Sequence, residues 1–271
     1  MSEMRSMEQA PEPRTRLSLA ADLRRLEVRA GDTLLVHSSL NSLGWVCGGP
    51  TAVLQALQDV LTQDGTLVMP AHSGDLSDPG YWQHPPVPQG WWPVIRETMP
   101  AFDPALTPTR GMGCIPELFR TWPDVLRSDH PVDSFAAWGK HARTVTSGHS
   151  LEHSLGEASP LQRLADLDAQ VLLLGVGFDS NTSFHLAESR SGRYDFILQG
   201  APLLVEGRRM WKTYRNVDYQ SDDFAACGLA FEATGGVRHG LVGSGQSRLF
   251  AIRSATDFAF AWFLDHRPPG D

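Results

Sequence analysis

The 271-residue chain carries 23 Lys and Arg against 31 Asp and Glu, a net charge of −8. That balance argues against nucleic acid, whose phosphates demand clustered basic residues, and suits a polycationic small molecule. No apolar run approaches the ~18 residues that span a bilayer, and Cys47, Cys114 and Cys227 form no CxxC pair, which argues against a disulfide framework or zinc ribbon and fits a reducing cytoplasm.

The first fourteen residues, MSEMRSMEQAPEPR, mix prolines with both charges and lack an apolar signal core. They read as a disordered lead-in to a single domain over 15–268. Thr15 is placed to cap a helix over 15–27, where Leu17, Leu19, Leu23 and Leu26 recur at mixed helical spacing. GDTLLVHSS then gives a turn and a short apolar strand ending at His37. After a glycine-rich loop, Thr51 can cap a second helix with Val53, Leu54, Leu57 and Leu61 on one face. DGTLVMP, Asp64 to Pro70, is a tight turn followed by another apolar strand. Strand, loop, helix, turn and strand make a βαβ unit, and apolar runs without alternation suit strands buried on both faces.

The stretch over about 74–105 changes character, gathering prolines, Tyr81, Trp82, Trp91, Trp92 and the aspartates Asp75, Asp78 and Asp103. Long inserts of this kind in a compact domain are functional or mobile. AQVLLLGVG, Ala169 to Gly177, predicts a further strand. DSNTSFHLAESR follows as a loop and a helix capped by Asn181 or Thr182. The last third reads as mixed strands within 195–217, helices near 221–232 and 255–265, and a strand at SRLFAIR. The alternation predicts an α/β fold, a central mixed sheet flanked by helices, with an irregular, antiparallel C-terminal part.

Two constellations carry chemistry. In LLVHSSL, His37, Ser38 and Ser39 end a buried strand, where α/β proteins bind ligands and backbone N–H groups can hold an anion. In DSNTSFHLAE, His185 and Glu188 stand i, i+3 on one helix face. A carboxylate beside an imidazole raises its basicity and fixes its orientation, as a general base near neutral pH requires. Each has a bland alternative: a satisfied histidine with capping serines, and a surface helix contact. RSDHPVDSFAAWG and EHSLGEASPLQRL are structured loops that identify no reaction on their own. The chain has no GxSxG elbow, no GxxxxGK[ST], no strand-borne GxGxxG, and neither HxH nor HExxH. Serine hydrolysis, nucleotide chemistry and a local metal site therefore lack support.

LLVHSSLNSLGWVCGGPTAVLQALQDVL, GTLVMPAHSG, FDPALTPTRGMG, RSDHPVDSFAAWG, HSLGEASPLQRL and VLLLGVGFDSNTSFHLAE occur in that order. Together they resemble the aminoglycoside 3-N-acetyltransferase family over roughly residues 15–265. The resemblance implies the antibiotic acetyltransferase fold, acetyl-CoA as cosubstrate, no metal, and direct transfer in a ternary complex to the 3-amine of an aminoglycoside. It further implies a cytoplasmic resistance enzyme, monomeric or homodimeric, with neither membrane nor nucleic-acid partner. Carried onto this sequence, it makes His185 the general base, Glu188 its supporting carboxylate and His37 a neighbour of the thioester. Ser38, Ser39, Thr109, Ser134, His153, Asn181 and Thr182 would line the acetyl-CoA tunnel. Cationic amines need carboxylates around them, and Asp75, Asp78, Asp103, Asp218, Asp222 and Asp223 are the candidates. The competing readings are a same-family enzyme acting on another small amine, a coenzyme A-binding protein without catalysis, and a metal-dependent hydrolase.

Overall fold

The computed structural model describes residue 7 and residues 12–270. Most of the expected lead-in over 1–14 therefore lies outside the described residues. Arg14 is already tied down, its N–H donating to the Trp45 carbonyl and its carbonyl accepting from Cys47. Helix α1 (Arg16–Arg25) begins at Thr15, whose hydroxyl accepts from the Ser18 N–H while the Ser18 hydroxyl receives the Thr15 N–H. That reciprocal box is worth on the order of 1 kcal/mol. Strand β1 (Thr33–Ser38), helix α2 (Gly49–Leu61) and strand β2 (Thr66–Pro70) form the expected βαβ unit, with β1 and β2 parallel. Helix α2 starts two residues before Thr51: Gly48, in a left-handed conformation, precedes it, and Pro50 occupies its first turn. Proline's fixed φ suits that position.

The Trp/Pro-rich stretch folds into three one-turn helices at 74–76, 79–81 and 89–91 and helix α3 (Trp92–Thr98). After helix α4 (Cys114–Phe119) come β3 (Leu126–Arg127), β4 (Phe135–Gly139), helix α5 (Ala142–Thr146) and helix α6 (Pro160–Asp166). Strand β5 (Gln170–Leu174) leads to helix α7 (Phe184–Ser191). The 195–217 region is a hairpin of β6 (Phe196–Val205) and β7 (Arg208–Val217). Helix α8 (Phe224–Glu232), strands β8 (Arg238–Val242) and β9 (Gly245–Ala251) and helix α9 (Ile252–His266) complete the chain. Ser183, rather than Asn181 or Thr182, immediately precedes α7, because Asn181 closes the one-turn helix at 178–180 and its side-chain oxygen accepts the Ser183 hydroxyl instead of a helix N–H.

The main sheet runs β3-β4-β2-β1-β5-β9-β8. β1 is parallel to β2 and β5, and the outer pairings are antiparallel. This is the predicted mixed sheet, with the antiparallel pairs bringing in the C-terminal part. Helices cover both faces, so β1, β2 and β5 are almost continuously buried. Leu34 and Val36 join the core under α1, α2 and α4; Leu35, Val68 and Phe135 join the core under α5 to α9. Strand alternation then puts His37 on the Leu35 face, beneath α7. β1 sends its crossover to β2 on one side, while β5 lies parallel on the other. That reversal opens a crevice at the carboxyl ends of β1 and β5, where ligands of open α/β sheets bind.

Candidate active site

A cavity of about 270 Å3 fills this crevice. His37 and Ser38 line it from the end of β1, Pro70 and His72 from the end of β2. Asn181, Thr182 and His185 come from the approach to α7, and Ser221 and Phe224 from the start of α8. It shares Val176 with a second cavity of about 540 Å3, whose walls are Asn41, Ser42, Gly44, Gly175, Gly177 and the 244–248 segment. Gly175, at φ +70°, is required there: a Cβ would sit 2.8 Å from the Ser42 side chain.

His185 and Glu188 meet as their spacing predicts. Nδ1 of His185 lies 2.6 Å from Oε2 of Glu188, whose side chain is wholly buried. Beside a carboxylate, Nδ1 carries the hydrogen, leaving Nε2 to offer its lone pair from a ring that borders the cavity. Glu188 is fixed in turn. Its Oε1 accepts from the Arg267 guanidinium (2.6 Å) and from the Gln220 N–H (2.9 Å). Arg267 also grips Asp223, at 2.5 and 2.7 Å. The imidazole is held between Tyr219 and Phe224, with ring centroids 5.0 and 4.7 Å away. The result is a chain, His185–Glu188–Arg267–Asp223, in which a buried negative charge faces a guanidinium on one side and an imidazole on the other.

The opposite wall is different. Burial holds His37 down to about 3, helped by the like charges that His72 and His185 would carry. Burial also depresses His72 to about 4, against the pull of Asp133. Both rings are therefore neutral at physiological pH, because desolvation penalises their charged form. Nε2 of His37, Oγ of Ser38, Nε2 of His72 and Nδ2 of Asn181 are buried with no hydrogen-bond partner among the described residues. The Asn181 amide is oriented by its other end, since Oδ1 accepts the Ser183 hydroxyl at 2.7 Å. Its NH2 is left as a donor. Buried polar groups are rarely orphaned, and four of them on one cavity mark a site shaped for a polar ligand.

The structure thus brings His185, Glu188, His37, Ser38, Asn181 and Thr182 together. The other residues singled out in the sequence lie elsewhere. The Ser39 hydroxyl accepts from Ser42 in the loop after β1. Thr109 gives both its N–H and its hydroxyl to Glu117, two residues before the cavity-lining Gly111. Ser134 is buried, donating to the Ala71 carbonyl and accepting from Arg127. His153 packs edge-on against Tyr194 and Phe196. Asp75 pairs with Arg110 on the surface, Asp78 with Arg96, and Asp103 caps a turn at Ala105 and Leu106. Asp218 lines a separate shallow pocket beside Arg267, Asp222 is exposed, and Asp223 belongs to the Arg267 pair. Sequence reasoning missed His72, Tyr219 and Arg267. His72 carried a usable signal, since it follows its apolar strand much as His37 ends the neighbouring one. Among the described residues no group of histidines, cysteines and carboxylates is arranged to hold a metal ion, and no helix is long and apolar enough to cross a membrane.

The family described as Aminoglycoside 3-N-acetyltransferase matches residues 35–264. The SPbeta prophage-derived aminoglycoside N(3')-acetyltransferase-like protein YokD of Bacillus subtilis is 52% identical over 94% of both chains. Its crystal structure superposes with a TM-score of 0.96, covering 97% of this chain and 98% of that one. Aminoglycoside N(3)-acetyltransferase VII of Streptomyces paromomycinus is 35% identical across the full length of both. The structure of AAC-IIIb in binary complex with CoASH is 31% identical, with a TM-score of 0.85 over 94% of this chain and 98% of that one. With the profile spanning most of the chain, two relatives matching it nearly end to end and a shared architecture, the protein belongs to the aminoglycoside 3-N-acetyltransferase family, a family of acyltransferases.

Proposed function

We propose that the protein is a cytoplasmic resistance enzyme that transfers the acetyl group of acetyl-CoA directly to the 3-amine of an aminoglycoside within a ternary complex. The observation that carries this reading is the His185–Glu188–Arg267 chain bordering a cavity that also holds four unpartnered polar atoms. Relatives named for the reaction, and one solved with CoASH, support the donor and the acceptor class.

The donor would enter through the Gly175–Gly177 and 244–248 walls and present its thioester between His37 and His185. An ammonium cannot attack a thioester, so the acceptor amine reacts through its neutral form. As nitrogen bonds to the carbonyl carbon, Nε2 of His185 accepts the amine's proton, and the imidazolium gains the nearby charge of Glu188. The oxyanion that forms needs preorganised donors. The Asn181 NH2, the Ser38 hydroxyl and the neutral His37 ring are the available ones. Collapse breaks the C–S bond, and the imidazolium returns its proton to the departing thiolate. The products are the N-acetylated amine and CoASH, with no acetyl group passing through the protein.

The test is thiol release from acetyl-CoA by the purified protein across an aminoglycoside panel, with the acetylated position located by NMR. Release that depends on the aminoglycoside, with the acetyl on the 3-amine, is the expected result. Silence across the panel by a protein that still binds acetyl-CoA would replace the acceptor with a different small amine.

A further inference from the structure

Of the carboxylates first considered for the acceptor, Asp75, Asp78 and Asp223 are paired with arginines, Asp103 caps a turn, Asp218 lines a separate pocket and Asp222 is exposed. One carboxylate that sequence reasoning passed over has a different setting. β2 pairs antiparallel with β4 in the register Pro70↔Phe135. The ladder continues past the strand ends: Ala71 N–H donates to the Ser134 carbonyl and Ser73 N–H to the Val132 carbonyl, both at 2.8 Å. His72 and Asp133 are therefore directly opposed, between two hydrogen-bonded positions, where side chains on one face approach most closely. That face is the cavity face, since Pro70 and His72 both line the cavity. Ends of adjacent strands lie about 4.8 Å apart. The β1–β2 register continues to His37 opposite Pro70, so His72 stands two residues further on and Asp133 one strand beyond it, a diagonal leading away from the transfer site.

Asp133 lacks a cationic partner. Its side chain is only 16% exposed, and its one neighbour in ion-pair range among the described residues is Nδ1 of His130, 4.0 Å away. That nitrogen bears no hydrogen, because it accepts the N–H groups of Val132 (3.2 Å) and Asp133 (2.7 Å). The His130 proton sits on Nε2, facing the Leu151 carbonyl. His149 is neutral too: Nδ1 accepts from Ser128, whose oxygen already receives the Phe135 N–H, and Nε2 donates to the Ser154 carbonyl. The Ser154 hydroxyl, at 2.6 Å, supplies Asp133 with a neutral hydrogen bond. Burial pushes the Asp133 carboxyl up, yet its polar surroundings, the Ser154 hydroxyl among them, hold it below the usual carboxylate range, so it stands ionised with no cationic side chain paired to it among the described residues.

We infer that Asp133 binds a second ammonium of the acceptor, beyond His72 from the amine that is acetylated, and so selects polyamine acceptors. This rests on the acceptor reading above. Steady-state acetylation by wild type and Asp133→Asn tests it, using two aminoglycosides that differ by one amine-to-hydroxyl replacement outside the acetylated position. The acceptor KM of Asp133→Asn should rise about tenfold or more, the loss of roughly one charged hydrogen bond, with the acetyl-CoA KM unchanged. For the aminoglycoside lacking the paired amine, wild type and variant should have equal KM. Asp133→Ser, neutral and smaller, reports the same if the Asn variant does not fold. An unchanged acceptor KM, or one that rises equally for both aminoglycosides, would overturn the inference. Absence of turnover by wild type with either aminoglycoside would instead defeat the acceptor reading itself.

Discussion

The two histidine-bearing walls of the cavity use the same side chain in opposite ways. On the α7 wall, His185 has a carboxylate 2.6 Å from Nδ1, backed by a guanidinium, so a proton arriving at Nε2 meets a waiting counter-charge. On the strand wall, neither His37 nor His72 has a carboxylate in ion-pair range among the described residues; burial holds them neutral, at about 3 and about 4, and for His72 it outweighs the pull of the more distant Asp133. Imidazole chemistry is decided by what stands behind the ring. A backed imidazole can accept a proton; an unbacked, buried one can only offer a hydrogen bond or lend shape.

If the α7 wall owes its role to Glu188, then Glu188→Gln should lower kcat by ~1000-fold, as expected when a base loses the carboxylate that fixes its tautomer. The Gln amide cannot accept from His185, Arg267 and the Gln220 N–H together. A kcat within a few fold of wild type would break the contrast. On the strand side, Asn181→Ala removes a neutral donor and should reduce kcat by ~100-fold with little effect on acetyl-CoA binding, read by single-turnover kinetics and calorimetry.

Acid should expose the neutral wall in the stability of the fold. His37, His72 and His149 are depressed from 6.5 to about 3, about 4 and about 3. Below 6.5 the unfolded chain therefore binds protons that the folded chain does not. Unfolding free energy should fall as pH drops from 6.5 toward 4, by up to about 1.4 kcal/mol per pH unit for each such histidine. Urea titrations across that range check it, and a flat profile would contradict the assignment of neutral rings. The smallest effect is expected at the exposed Asp75–Arg110 pair, where both side chains are more than half exposed. Arg110→Met should change stability by under about 0.5 kcal/mol by thermal unfolding.

The βαβ unit, the positions of β1 and β2 and the His185–Glu188 pair were legible because each rests on local pattern: apolar runs, turn residues, i, i+3 spacing. The cap of α2 lies three residues before the expected Thr51, because Gly48 and Pro50 set the start before Thr51 could. Arg267 was not legible. It reaches Glu188 from 79 residues away, and nothing near it in sequence announces the partner. Asp133 was hidden differently. It sits inside a quoted motif, but only the β2–β4 register shows that it stands across from His72. Aspartates in acidic or aromatic stretches drew attention by composition, whereas the structure ties Asp78 and Asp223 to arginines and Asp103 to a turn.

The central claim is that His185 accepts the proton of the attacking amine. Aminoglycoside-dependent thiol release from acetyl-CoA by wild type and His185→Ala, compared at saturating substrates, tests it most directly. The account predicts that wild type turns over only with the aminoglycoside present and that the variant loses at least ~100-fold in kcat, the scale of a missing general base. A folded His185→Ala variant that turns over as fast as wild type would leave the reaction standing and contradict the mechanism.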